Sequence, residues 1–436
     1  MTKPYCVISC PFLTVSGYGA RARDVVKAIY ELKKDDWQIE ILCQRWGSTS
    51  WMTDDEIESD WSWSIPMLNK TGQLTRQPDY WFQITIPNEC QPVGKLYNCL
   101  ITAGIETTHC DPSWIDGCNK MDLILVSSNH AKTVFEHSVY DEKNANGQII
   151  RKVQLQKPVE VLFEGADLNK YVCIPKDKLE KTDLVQSLDA ISESFCFLFV
   201  GHWLQGILGQ DRKNVGLAIK TFLETFKGQK KKPALILKTS GAGASIMDRD
   251  MILEKINEII KLVGNKDLPN IYLLHGEFDD SDINNLYNHP KVKAMYCLTK
   301  GEGFGRPLLE FSLSKKPIIV SAWSGHTDFL DKEFTCYVPG DIKQIHPSAV
   351  VNNMLIPESG WFDPNVDVAK KLLKDVFENY ENYEVNAKRQ AHKSKTEFSF
   401  DKMKEVINQK IESFPKPVEL KLPQLKKITL PQLKKV

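Results

Sequence analysis

Short, unbroken apolar runs recur along this chain, and stretches with helical periodicity lie between them. In the first half the runs fall at 5–9, 37–43, 97–106, 121–128 and 159–164. A strand with one face in water alternates apolar and polar residues. These runs do not, so both of their faces must be covered. Between the first two, Ala22, Val25, Val26, Ile29 and Leu32 sit at helical spacing. Strand, helix, strand in that order implies a parallel sheet with helices on both faces. A charged, weakly apolar linker follows at 176–193, and the pattern restarts at 195–200, 234–238, 271–274, 294–298 and 317–321. Helical stretches at 214–226 and 251–262 separate several of these later runs. The expected fold class is therefore α/β, with two Rossmann-like, doubly wound domains facing a cleft. Open α/β sheets take ligands beyond the carboxyl ends of their strands, so the cleft is where function should lie.

The chain has 436 residues, 42% of them hydrophobic. That suffices for two cores, and a single core rarely grows past about 250–300 residues. The expected division is 1–190 and 191–385, then helices at 386–413 packing back toward the first domain, then a tail at 414–436. The tail repeats LPQLKK at 422–427 and 430–435 and carries six Lys and one Glu. Four prolines oppose a long helix there. A solvated extension and a segment that binds an anionic surface or a partner both remain open.

Fifty-six basic residues balance fifty-six acidic ones. A chain built to wrap nucleic acid should carry a surplus of cations, so a nucleic-acid partner stays open without being favoured. No run approaches the roughly 20 apolar residues of a membrane-spanning helix. The N-terminus lacks the apolar core of a secretory leader. A cytoplasmic protein is expected. Eleven cysteines, several inside apolar runs, read as buried thiols. Cys90, Cys99, Cys110 and Cys118, with His109, have spacings too long and irregular for a zinc signature. No metal is expected.

The most informative segment is KGEGFGRPLLE at 300–310. It follows a strand-like run and opens a helix, with Pro307 suited to the first turn. Gly301, Gly303 and Gly305 let the backbone approach a ligand closely. Free amides at a helix entry favour an anion. Glu302 and Glu310 stand beside that anion site, where a carboxylate is costly unless it has another task. Accepting hydrogen bonds from sugar hydroxyls is such a task. A glycine-rich helix entry with two capping acids is the plainer alternative.

The pattern E-G-F-G-x-P-x-L-E resembles the E-x7-E signature of retaining glycosyltransferases of family 4, which have the GT-B fold. The surroundings agree: KPIIVS at 316–321, SGHTD at 324–328, GIETT at 104–108, VSSN at 126–129 and LFEGAD at 162–167 resemble segments of that family. The resemblance implies a nucleotide-diphosphate sugar as donor, held mainly by the second domain, and an acceptor held by the first. It implies that Glu310 binds the ribose hydroxyls and that Glu302 touches the transferred sugar. The backbone of Gly303, Phe304 and Gly305 would meet the sugar or the diphosphate. Gly17 and Gly19, in the glycine turn after the first strand, would face the donor phosphates. Lys213 matches the family's lysine in its K-N step. Where the family often has Arg after the strand-end glycine, this chain has His202 after Gly201, so that cation is missing or is supplied by Arg212.

A diphosphate needs cations, and Lys213, Lys238 and Arg212 all fall at or near strand carboxyl ends. Lys213, Lys238 and Glu302 are the expected catalytic residues, with no cofactor and no metal. The 279–282 run, DDSD, reads as a helix start rather than a metal-binding D-x-D. Trp46, Trp51, Trp61, Trp63 and Trp81 crowd one stretch and form a candidate acceptor wall. The plain alternative is local packing. His109, His130 and His326 receive no catalytic role. The expected activity is transfer of a sugar to an acceptor hydroxyl on a glycan, lipid, small molecule or modified base. A nucleotide-sugar epimerase on the same fold, or a non-catalytic carbohydrate- or nucleic-acid-binding protein, are the alternatives. Donor sugar, nucleotide base, acceptor and oligomeric state are not fixed by the sequence.

Overall fold

The computed structural model describes residues 3–47, 49–241 and 243–417. The LPQLKK repeat lies outside the described residues.

The first sheet has seven strands in the spatial order Leu68–Asn69, Gln38–Cys43, Tyr5–Cys10, Tyr80–Ile84, Tyr97–Thr102, Leu123–Val126 and Val159–Val161. The second has six: Ile271–Leu274, Ala234–Lys238, Cys196–Val200, Val292–Cys297, Ile318–Ser321 and Cys336–Val338. Every pairing within the two sheets is parallel. In each sheet the strand order reverses beside the first strand of that domain, which creates the crevice where such folds take ligands. The unbroken apolar runs become strands buried on both faces: Tyr5–Cys10 is buried throughout, with Ile8 opposite Ile41 and Phe82.

Five features differ from the sequence-based expectation. Tyr80–Ile84 is a central strand and not part of a tryptophan-rich insertion, and Trp81 is buried in it. Its five residues lie among polar and aromatic neighbours, which hid the run. Two antiparallel hairpins, Tyr140–Lys143 with Ile149–Val153 and Gly340–Gln344 with Gly360–Pro364, carry no continuous apolar stretch. Cys336–Val338 extends the second sheet by only three residues. Within the charged stretch 176–193, Thr182 caps a short helix, Asp183–Asp189, whose Leu184 and Leu188 enter the second core.

Packing passes from the first core to the second at Leu162–Ala166, earlier than the expected boundary at 190. It passes back at Phe398–Phe400, later than the expected 386. Helix Tyr380–Glu397 stays on the second domain, where the Gln390 amide donates to the Phe329 carbonyl (2.8 Å) and Ser394 bonds Ser312 (2.7 Å). The two crossings lie side by side. The Ala166 amide donates to the Phe398 carbonyl (2.9 Å), and the Phe400 amide donates to the Ala166 carbonyl (2.8 Å). A Cβ on Gly165 would stand 2.5 Å from the Ser399 carbonyl oxygen, so the close approach requires glycine.

Beyond the second crossing, helix Phe400–Glu412 lies against helix Gly17–Lys33. Phe400, Met403, Ile407, Ile411 and Phe414 recur at helical spacing and join the core of the first domain. Truncating one of them leaves a cavity that neighbouring strands cannot fill. Ile407→Ala should therefore lower the unfolding free energy by about 2–4 kcal/mol in denaturant titrations. An effect within about 0.5 kcal/mol, as at exposed sites, would show that the last helix is not part of that core.

Candidate active site

The carboxyl ends of the two sheets meet through the loop that follows strand Val292–Cys297. Gly305 begins helix Arg306–Ser312 at φ +97°, and a Cβ there would also press on His326. The other motif glycines serve a purpose the sequence did not disclose. A Cβ on Gly301 would stand 2.0 Å from the Glu106 carbonyl oxygen, and one on Gly303 would stand 3.0 Å from that of Ala103. The Ser127 hydroxyl lies 2.7 Å from the Ala103 carbonyl oxygen and 2.9 Å from that of Gly303. The loop is glycine-rich because the first domain rests on it. Phe304 turns its ring into the core against Phe329, leaving only its backbone for a ligand.

Glu302 is 5% exposed, and its amide donates to the Ser324 hydroxyl (2.8 Å). Lys213 Nζ lies 2.7 Å from both carboxylate oxygens, and Arg212 reaches one of them at 3.4 Å. Burial alone would push this carboxyl up. Lys213 and Arg212 outweigh it and hold the pKa at about 2, so Glu302 is ionised. Arg212 also donates to the Gly301 carbonyl (2.7 Å) and faces Glu106 of the first domain at 3.5 Å. Sequence reasoning had separated the roles of Lys213 and Glu302, one for the diphosphate and one for the sugar. The structure joins them in one ion pair.

Lys238 ends its strand as expected, but its ammonium donates to the Gly276 carbonyl (3.1 Å) and lies over the Phe278 ring. Burial lowers its pKa. His202 lies 3.2 Å from the Ser240 hydroxyl, and burial, then Lys213 and Lys238, lower its pKa. Asn214, in left-handed conformation, opens helix Val215–Phe226 and donates to the Leu298 carbonyl (3.0 Å), tying this cation loop to the motif strand.

Glu310 is 7% exposed and lies 3.8 Å from Arg306 one helical turn back. Burial pushes its pKa up to about 8, with Arg306 opposing. The two motif acids thus rest in opposite states near neutral pH, Glu302 ionised and Glu310 protonated.

On the first domain, Ser16 caps helix Gly17–Lys33 by accepting from the Gly19 amide (2.9 Å). A Cβ on Gly19 would collide with the Thr14 carbonyl, whereas Gly17 has open space around it. The Tyr18 hydroxyl accepts from the Ala103 amide (3.1 Å), so the first glycine turn and the motif loop are separated only by Ala103. Trp46 stacks on Tyr18 at 4.0 Å. Trp61 and Trp63 pack edge-on against Phe12. The tryptophan cluster therefore divides: Trp46 and the exposed Trp51 remain available to a ligand, while Trp61, Trp63 and Trp81 are packing.

His326 is buried, and its Nε2 faces the Ser321 carbonyl (2.7 Å). His130 packs against Trp323, and burial lowers its pKa to about 4. Asp279 caps helix Asp280–Asn288 through the Asp282 amide (2.7 Å). Among the described residues no three His, Cys, Asp or Glu side chains group as metal ligands. Cys90, Cys99, Cys110 and Cys118 are buried, and burial pushes each thiol up. A surface hollow of about 830 Å³ along helix Tyr380–Glu397 shares no residue with this site.

Sequence reasoning passed over Arg306, Asp24, Glu164 and Glu106. One signal was legible. Arg306 stands at a helix N-terminus, where the dipole disfavours a cation, and so needs acidic partners from elsewhere. Nothing local could say which.

No family model matches the sequence, and no curated protein does. Solved structures do match. A glycosyltransferase from Rickettsia africae superposes with a TM-score of 0.62 at 13% identity, covering 94% of this chain and 98% of that one. The chain has the GT-B fold. Sucrose-phosphate synthase from Thermosynechococcus elongatus gives a TM-score of 0.59 at 11% identity, over 94% and 98% of the two chains. HepE of Anabaena, solved in complex with UDP-glucose, gives 0.59 at 13%, over 94% and 100%. At such identities what is shared is the GT-B architecture, two facing doubly wound domains over nearly the whole described chain.

A buried acid with its pKa raised from 4.5 to about 8 destabilises the fold as pH rises. The unfolded chain releases the proton near pH 4.5 and the folded one only near 8, so stability falls across that window and levels off above it. Glu310→Gln keeps the shape without the ionisation. Melting curves from pH 5 to 9 should show the wild type losing stability relative to Glu310→Gln up to about pH 8. Parallel curves would place Glu310 in its ionised state throughout.

Proposed function

We propose that this chain is a family 4 retaining glycosyltransferase that moves a sugar from a nucleotide-diphosphate donor to an acceptor hydroxyl. The observation that carries the proposal is the buried Lys213–Glu302 pair at the switch point of the second sheet, with Lys238 at the end of the neighbouring strand. In the free protein the Lys213 ammonium is neutralised by Glu302. A diphosphate entering the crevice competes for that ammonium, and Glu302 is then released to accept from sugar hydroxyls. One ion pair is exchanged for two charge-assisted interactions with the donor. HepE and trehalose-6-phosphate synthase of the same fold were solved with UDP-glucose and UDP-2-fluoro glucose, so a UDP-sugar is the first donor to try.

Lys213 and Lys238 would stabilise charge as it develops on the departing diphosphate. That charge needs no metal where lysines already face it. The diphosphate oxygen could then take the proton of the acceptor hydroxyl on the same face, which accounts for retention without a dedicated base. Trp46, stacked beside the first glycine turn, is placed to receive a sugar-like or aromatic acceptor. Among the described residues no helix is long and apolar enough to cross a membrane. All eleven cysteines are free thiols, which suits the reducing cytoplasm where we place the enzyme. The basic tail is proposed to serve an anionic surface or a partner rather than the reaction.

Lys213→Ala should cut kcat by about 10²–10³-fold, as loss of a transition-state charge contact does. Glu310→Ala should raise the donor KM by about tenfold or more with a smaller change in kcat. Near-normal turnover by both variants would remove the site assignment. Transfer should persist in excess EDTA, and activity abolished by EDTA and restored by a divalent cation would overturn the metal-free reading. Incubation with donor alone separates the epimerase alternative, which would convert the sugar without any acceptor.

A further inference from the structure

Arg306, whose side chain is 23% exposed, stands where three parts of the chain meet. Its guanidinium contacts Asp24 on the first domain's helix Gly17–Lys33, and Nε lies 3.1 Å from Glu164 on the crossing segment. A third nitrogen lies 3.8 Å from Glu310 on its own helix. The Asp24, Glu164 and Glu310 side chains are 16%, 13% and 8% exposed, so water screens these charges weakly. A second arginine, the buried Arg21, donates to the Leu162 and Phe163 carbonyls beside Glu164. Three carboxyls thus face two guanidiniums. Arg23, on the same helix, is held by the Phe12 and Thr14 carbonyls, and Asp280 pairs with Lys170 next to Tyr171.

An arginine planted at a helix N-terminus opposes the helix dipole, and a purely intradomain function would be met by any neutral residue. What this position offers is reach in three directions with a planar, multidentate group. One arm ends on an acid proposed to grip the donor. Another ends on the opposite domain. The third ends on the segment that joins them.

We infer that Arg306 is a positioning residue that couples donor contact at Glu310 to the seating of the first domain through Asp24. The inference rests on the proposed donor role of Glu310. When ribose hydroxyls donate to Glu310 they favour its ionised form, its proton leaves to solvent, and the new carboxylate charge draws on Arg306 and changes what Arg306 shares with Asp24 and Glu164. Donor occupancy is then felt at the first domain, which carries the acceptor. By linkage, seating of the first domain is felt at the donor.

Asp24→Asn separates this from simple scaffolding, because it cuts the interdomain arm and leaves Glu310 intact. With UDP-glucose as the probe, calorimetry should give a dissociation constant raised several-fold, as the reciprocal coupling requires, while kcat for transfer falls about tenfold. Asp24→Glu should restore most of the rate. Arg306→Lys, which keeps the charge and loses the fork, should raise the dissociation constant as well. Wild-type turnover by Asp24→Asn would overturn the inference and leave the transferase proposal standing. Equal losses in binding and rate with a lowered melting temperature, unrescued by Asp24→Glu, would reduce Arg306 to a structural tie and overturn it too. If the wild-type chain neither binds nor turns over UDP-sugars, the functional proposal itself fails and the inference falls with it.

Discussion

A carboxylate withdrawn from water must be answered by a cation close at hand, and the meeting of the two domains is organised by that requirement. Glu302 is almost fully buried yet ionised, because Lys213 contacts both of its oxygens and Arg212 stands behind. Arg212 in turn faces Glu106 on the first domain. A few ångströms of charge therefore link a loop after the first strand of the second sheet, the glycine loop after its fourth, and a loop of the opposite sheet. Remove any one member and the others are left uncompensated in a poorly solvated place, which costs far more than a surface pair would. On the proposed function, the same arrangement makes the site receptive. An ion pair held ready in a crevice can trade partners with an incoming diphosphate without either charge facing an apolar wall.

The fold makes that meeting possible by putting strand ends opposite each other. Each sheet reverses its order beside its own first strand, so each presents a crevice at its carboxyl edge. The two crossings, at 165–166 and 398–400, hydrogen-bond to each other and form a narrow joint. Helix Phe400–Glu412 then reaches back to the first core. The two domains are thus tied at the joint, at the motif loop, and through the Arg306 cluster between them. Motion of one domain over the other would have to rearrange weakly solvated charges at two of these three places.

Glycine at the motif illustrates how a correct observation can have an incomplete cause. Three glycines in five residues announced close approach, and close approach is what the structure shows. At Gly301 and Gly303 the approaching group is the backbone of the first domain. Only Gly305 is demanded by its own left-handed torsion. A sequence pattern reports that space is short. It does not report what fills the space.

Most strands of both sheets, the principal helices and the existence of two similar domains were legible in the sequence because they follow from local periodicity: apolar runs covered on both faces, and stripes at helical spacing. Strand Tyr80–Ile84 and the polar hairpins were not, since their burial or pairing is imposed by neighbours and not by their own pattern. The same division runs through the site. Glu302, Glu310, Lys213 and Lys238 could be named from motif and position at strand ends. That Lys213 closes on Glu302 across 89 residues, or that Arg306 spans to Asp24 across 282, was decided by tertiary structure alone. Periodicity is written in residues a few positions apart, whereas charge pairing depends on distances in space that only the packed sheets define.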